Sequence, residues 1–133
     1  MAKVTGIGGI FFKTTDCQAT LAWYQEKLGI AGEPWGGSVL HWRHLDDAEE
    51  RGYTVWSPFA LDADKFDPSE QPFMVNYRVD DLVGMLDAMK AAGVEVVGDL
   101  EEHPNGKFAW VLDPEGRKIE LWEPVPSAAD PYL

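Results

Sequence analysis

The chain has 133 residues, enough for one domain whose core needs no disulfide or metal staple. Its 45% apolar content excludes a disordered chain, while 23 acidic against 11 basic residues, a net charge of -12, argue against nucleic acid or an anionic membrane as partner. That charge suits a cationic ligand, or simply solubility.

Val4 to Lys13 reads as a first strand, and the N-terminal run "MAKVTGIGGIFFKTTD" lacks the small-residue cleavage pattern of a signal peptide. Asp16 then caps a helix whose apolar stripe is Cys17, Leu21, Tyr24 and Leu28, stopped at Gly29. Short strands are expected around Pro34 to Trp35, at Ser38 to His44 and at Gly52 to Pro58. A polar linker, "FALDADKFDPSEQP" (Phe59 to Pro72), follows. Phe73 to Val79 reads as a strand, Asp80-Asp81 offers a cap, and Leu82, Met85, Leu86 and Met89 form a helical stripe ended by Gly93. Strands at Val94 to Glu101, Lys107 to Leu112 and Lys118 to Trp122 close the chain, with Asn105-Gly106 as a hairpin signal and Asp113-Pro114-Glu115-Gly116 as a turn.

The two halves repeat one order, strand-helix-strand-strand-strand, and even end alike, "YTVWSP" against "IELWEP". The expected domain is α+β, with modules at 4–58 and 73–124, a linker at 59–72 and a tail at 125–133. Its two sheets form a curled mixed sheet around a cleft, with the helices outside. Alternation along the last strand turns Ile119 and Leu121 toward a helix, and Lys118, Glu120 and Trp122 toward the cleft.

These motifs carry a resemblance. "DPEGRKIELWEP" is similar to the D-P-x-G-x-x-I-E-L of the vicinal oxygen chelate superfamily, and "WYQEKLGI" and "YRVDDL" match it as well. That superfamily includes glyoxalases, extradiol dioxygenases and bleomycin-resistance proteins. Metal-dependent members draw four ligands from four strands. The resemblance puts those positions at Gly9, Met74, Thr54 and Glu120, of which Glu120 alone ligates strongly. It therefore implies a member with no metal and no cofactor. An atypical site would need His41 with Glu120. His41 and His44 point to opposite faces of their strand, and His103 sits in a loop. The resemblance also implies pairing of modules within or between chains, hence a homodimer with or without module exchange. Trp23, off the inward helical stripe, suits such an interface.

Phe11, Trp56, Asn76, Glu120 and Trp122 are expected to line the cleft, as aromatic walls with few polar groups. Glu120 there would be desolvated and could act as a base or capture a cation, unless Arg78 or Lys118 neutralises it. Cys17 reads as a small core residue, and a lone cysteine excludes an internal disulfide and a multi-cysteine metal site. No run is apolar and long enough to span a membrane, so the expected setting is cytoplasmic. The first functional reading is a metal-independent protein that binds a small planar or cationic molecule, of the glyoxalase/bleomycin-resistance type. The alternatives are a glyoxalase-like lyase or isomerase acting next to a carbonyl with Glu120 as base, and a module whose cleft is filled by its own aromatics.

Overall fold

Alternating side chains and two capped helices build an α+β fold. The computed structural model describes residues 1–133. In chain order these form β1 (Val4–Thr14), α1 (Cys17–Leu28), β2 (Ser38–Arg43), β3 (Arg51–Ala60), β4 (Phe73–Val79), α2 (Leu82–Ala91), β5 (Glu101–His103), β6 (Gly106–Leu112), β7 (Lys118–Pro124) and a short 3-10 turn at Ser127–Ala129. The seven strands make one open sheet in the order β2-β3-β1-β4-β7-β6-β5. β1 pairs antiparallel with β4 and parallel with β3, and β4 pairs parallel with β7. The two halves therefore meet at the β1–β4 seam.

Both helices start and stop where their caps dictate. The Asp16 side chain accepts from the Ala19 N–H and the Asp81 side chain from the Gly84 N–H, each at 3.0 Å. Gly29, at φ 70°, closes α1: its N–H bonds Gln25 O at 3.1 Å and the Ile30 N–H bonds Tyr24 O at 3.4 Å. The α2 stripe packs as expected. Leu82 and Leu86 are buried against Val79, Ala109, Val111 and Leu121, with Met85, Met89 and Ile119 alongside. On α1 no residue is fully buried, and Leu28 is exposed.

Two expected strands differ. Pro34 to Trp35 is a turn, because Gly36 at φ 101° lets Glu33 N–H bond Gly37 O at 2.7 Å and Gly36 N–H bond Glu33 O at 3.0 Å. The first half thus contributes three strands to the sheet, where four were expected. Val94 to Glu101 is irregular apart from a bridge at Val96, and β5 begins only at Glu101.

The largest departure is the linker. It folds back onto the concave face, where Phe66 is 0% exposed and packs with Phe11, Met74 and Trp110. The tail crosses the same face at the other end. Ser127 N–H bonds Glu50 Oε1 at 2.7 Å, and Tyr53 donates its hydroxyl to Asp130 Oδ2 at 2.8 Å. Linker and tail bound the site.

Candidate functional site

The concave face carries the residues that alternation assigns to it on β4, β6 and β7. Asn76 lies opposite Glu120 and Arg78 opposite Trp122 across the β4–β7 ladder, with Phe108 and Trp110 facing Trp122 and Glu120 across β6–β7. Glu120 is 4% exposed and well satisfied. Its Oε2 accepts from Asn76 Nδ2 at 2.7 Å, its Oε1 from the Trp110 indole N–H at 3.0 Å, and Lys65 Nζ stands 3.4 Å from Oε1. The cationic partner is therefore a linker residue, not the expected Arg78 or Lys118. Lys118 donates to the Lys65 carbonyl at 2.8 Å. Burial and then the neighbouring Lys65 charge lower its proton affinity.

Arg78 is buried with its guanidinium between the rings of Trp42 and Trp122, 4.8 and 4.7 Å away. Trp122 in turn stacks on Phe108, with centroids 5.6 Å apart and planes 9° from parallel, and its N–H bonds Asn105 O at 3.0 Å. Glycine is required beneath this stack. A Cβ on Gly8 would collide with Asn76 Oδ1 and crowd Trp122 and the Arg78 stem.

Trp56 is the correction among the expected cleft residues. β1 and β4 are related by a local two-fold axis at the Ile10–Val75 pair, and the flanking ladders match Ile10 with Trp56 and Val75 with Ile119. Trp56 is therefore the counterpart of Ile119, on the helix side. There it packs against Tyr24 at 4.8 Å and Phe12 at 5.3 Å. Aligning "YTVWSP" with "IELWEP" by sequence misses this register. In the same register Ser57, not Thr54, is the counterpart of Glu120. Thr54 donates instead to Ile7 O at 2.7 Å and accepts from Trp42 Nε1 at 3.0 Å.

Two hollows open on the concave face. The smaller, about 250 Å³, is lined by Glu120, Lys65, Trp110, Phe108 and the His103–Glu101 pair, whose Nε2 and Oε1 lie 2.9 Å apart. The larger, about 550 Å³, lies among Trp35, Val39, His41, Tyr53, Val55 and Glu33. Asn105 and Tyr132 line both, so the hollows adjoin. Of the five expected residues only Glu120 reaches a hollow. Phe11, Asn76 and Trp122 lie buried beneath the concave surface and support it.

Alternation could have found Trp110, two residues from Phe108 on β6. Lys65 had no local signal, and Tyr132 and Asp130 sit in a tail without periodicity. His41 and His44 fall on opposite sides as expected, with His41 in the larger hollow and His44 lining a different depression beside Trp42 and Lys3.

The donor set does not fit the divalent metal that this fold can carry. Gly9 and Met74 offer no ligand, the lone pairs of Glu120 are engaged by Asn76, Trp110 and Lys65, and His41 lines the other hollow. No three His, Cys, Asp or Glu side chains are grouped to hold a metal ion.

At the far end, burial pushes the Tyr53 hydroxyl above the ordinary phenol range, and the Asp130 carboxylate reinforces this against the opposing pull of Asn105. A raised folded-state value means that the Tyr53 contribution is complete below about pH 10, the unfolded phenol value, and fades as pH climbs above it. Tyr53→Phe is expected to cost about 1–2 kcal/mol near neutrality, because Asp130 loses its donor. The gap between the two proteins should then narrow above about pH 10. Denaturant melts across that range check it, and a constant gap would refute it.

Comparison with known proteins agrees with this geometry. The sequence model of the Glyoxalase/Bleomycin resistance protein/Dioxygenase superfamily matches residues 57–121. No curated protein matches the chain by sequence. Among solved structures, methylmalonyl-CoA epimerase from Mycobacterium tuberculosis aligns with a TM-score of 0.58 at 21% identity, covering 95% of this chain and 92% of that one. Streptomyces coelicolor methylmalonyl-CoA epimerase (Q60A), in complex with 2-nitronate-propionyl-CoA, aligns at 0.64 and 14% identity over 92% and 99% of the two chains. A glyoxalase/bleomycin resistance protein/dioxygenase superfamily member from Vibrio splendidus 12B01 aligns at 0.57 and 15% identity, over 92% and 99%. At these identities the structures speak for the fold alone. The signature in residues 57–121 and the curled seven-stranded sheet make this chain similar to the Glyoxalase/Bleomycin resistance protein/Dioxygenase superfamily.

Proposed function

We propose that the protein binds a small planar or cationic molecule in the adjoining hollows of its concave face, without a metal. One observation carries the reading. Glu120, a strand-held carboxylate 4% exposed, faces an aromatic hollow, and its only cationic partner is a linker lysine whose side chain is 42% exposed. A ring would lie among Trp35, Val39, Tyr53 and Val55, with its polar end toward Glu120 and Glu101. The net charge of -12 favours a cation over an anion there. The lone Cys17 suits a cytosolic setting.

Glu120→Gln tests this directly. The amide preserves shape and deletes the charge; its oxygen keeps the Trp110 N–H and its NH2 donates to Asn76 Oδ1 once that amide turns over. Binding of an aromatic cation should therefore weaken by about ten- to a hundredfold, the size of a charge-assisted hydrogen bond. The melting temperature should move little, because Lys65 swings into solvent instead of being stranded. Calorimetric titration and thermal melts of both proteins report the two quantities. Equal affinities would sink the reading, and a loss of several kcal/mol would make Glu120 scaffold.

A second reading, a lyase or isomerase acting next to a carbonyl, is favoured by one feature. Glu120 and Lys65 place a base and a cation 3.4 Å apart, as proton abstraction and enolate stabilisation require. Transfer of solvent deuterium to a carbonyl compound, lost in Glu120→Gln, would support it.

We also propose a homodimer. Trp23, 53% exposed, and Ile10, 44% exposed, leave apolar surface on the helix side. Light scattering should give about twice 14.8 kDa, and a monomer mass at all micromolar concentrations would refute it.

A further inference from the structure

We propose that the ligand is an aliphatic amine on an aromatic body, whose ammonium takes the place that the Lys65 ammonium now fills; this rests on the binding reading above. Lys65 Nζ lies 3.4 Å from Glu120 Oε1 and 5.1 Å from the centre of the Trp110 ring. A carboxylate and an indole face around one cation are the elements that recognise an ammonium group. The protein thus already holds, in its own side chain, the chemical group the site selects.

The three donors to Glu120 differ in how firmly they are held. Asn76 and Trp110 sit on central strands and are buried, at 2% and 7% exposure. Lys65 comes from the linker, and its side chain is 42% exposed. Its backbone is pinned by Lys118 Nζ on the Lys65 carbonyl at 2.8 Å and by the fully buried Phe66 next in sequence. Only the side chain need move. When a ligand ammonium replaces it, the charge pair with Glu120 is restored, and Lys65 gains hydration that it lacks against Trp110.

The geometry selects against other classes. A neutral ligand displaces Lys65 without restoring a charge at Glu120, and an anion meets the Glu120, Glu101 and Glu33 carboxylates that line the two hollows. Lys65 is therefore an internal competitor that raises the threshold for cations and screens out neutral aromatics.

Three probes share one ring and differ in charge: naphthylmethylamine, naphthalenemethanol and naphthoate. Calorimetric titration compares wild type with Lys65→Met, which keeps the aliphatic stem on Trp110 and deletes the charge. The amine should bind the variant about three- to fivefold more tightly than wild type, the range for losing competition from a half-exposed ion pair. The alcohol should shift by less than the amine, and naphthoate should bind neither protein. Amine-directed acetylation read by mass spectrometry adds an independent measure. Saturating N,N-dimethylnaphthylmethylamine, a tertiary amine that does not consume the acetylating reagent, should raise the labelling of Lys65 while leaving exposed Lys27 unchanged.

Weaker binding of the amine to Lys65→Met, or protection of Lys65 from labelling, would overturn the inference. If alcohol and amine bind wild type equally and the variant changes neither, the cleft still binds aromatics and the amine assignment falls. If no probe binds either protein, the binding reading and the inference fall together.

Discussion

Trp122→Ala is expected to lower the unfolding free energy by about 3–5 kcal/mol, the range for truncating a buried aromatic without collapse of the site. Trp122 is 1% exposed and touches three different elements. Its ring stacks on Phe108 from β6 and lies 5.2 Å from Tyr53 on β3, while the Arg78 guanidinium from β4 rests 4.7 Å above it. Removal leaves a cavity and strands two polar groups, since Asn105 O loses its donor and Arg78 loses one of the two indoles that shield its desolvated charge. Gly8, which leaves room for Trp122, offers no side chain to fill the gap. The melting temperature should fall by roughly 10–20 °C for a domain of this size. Trp23→Ala, at a position 53% exposed, provides the contrast, with a change within about 0.5 kcal/mol for the monomer. Denaturant melts of both variants decide the matter, and a loss below about 1 kcal/mol in Trp122→Ala would contradict the packing described.

Phe66→Ala is expected to cost about 3–4 kcal/mol and to loosen a whole segment. Phe66 is 0% exposed although it belongs to a polar stretch, and it packs against Phe11, Met74 and Trp110, with the Phe59 ring 5.4 Å away. It is the apolar anchor of the linker on the concave face. Its loss frees the backbone that carries Lys65, so Glu120 loses its cation as well. Limited trypsin digestion reads this locally, through faster cleavage after Lys65, while cleavage after Lys27 on α1 stays unchanged. Lys65→Met removes the charge but not the anchor, so its melting temperature should stay close to wild type. A Phe66→Ala protein with an intact, protected linker would show that other contacts hold the strap.

Much of this molecule was legible in the order of its residues. The Asp caps, the glycine stops and the α2 stripe of Leu82, Met85, Leu86 and Met89 are local signals, read within a few residues and confirmed at their positions. Alternation on β7 put Glu120 and Trp122 on one face and Ile119 and Leu121 on the other, because a strand offers only two sides. Where the reading failed, the cause was register. Trp56 lies on the helix side because pairing about Ile10 and Val75 matches it with Ile119, and that offset depends on hydrogen bonds between distant strands.

What Glu120 touches lay further out of reach. Lys65, Phe66, Asp130 and Tyr132 belong to segments without period or pattern. They arrive at the concave face because Phe66 finds an apolar gap and Asp130 finds the Tyr53 hydroxyl. Local sequence determined the strands, the helices and the side of the sheet on which a carboxylate would stand. The tertiary structure decided that a linker lysine neutralises it and which hollow it faces, because those contacts join residues as far apart as Lys65 and Glu120 and depend on where the chain returns after the sheet has formed.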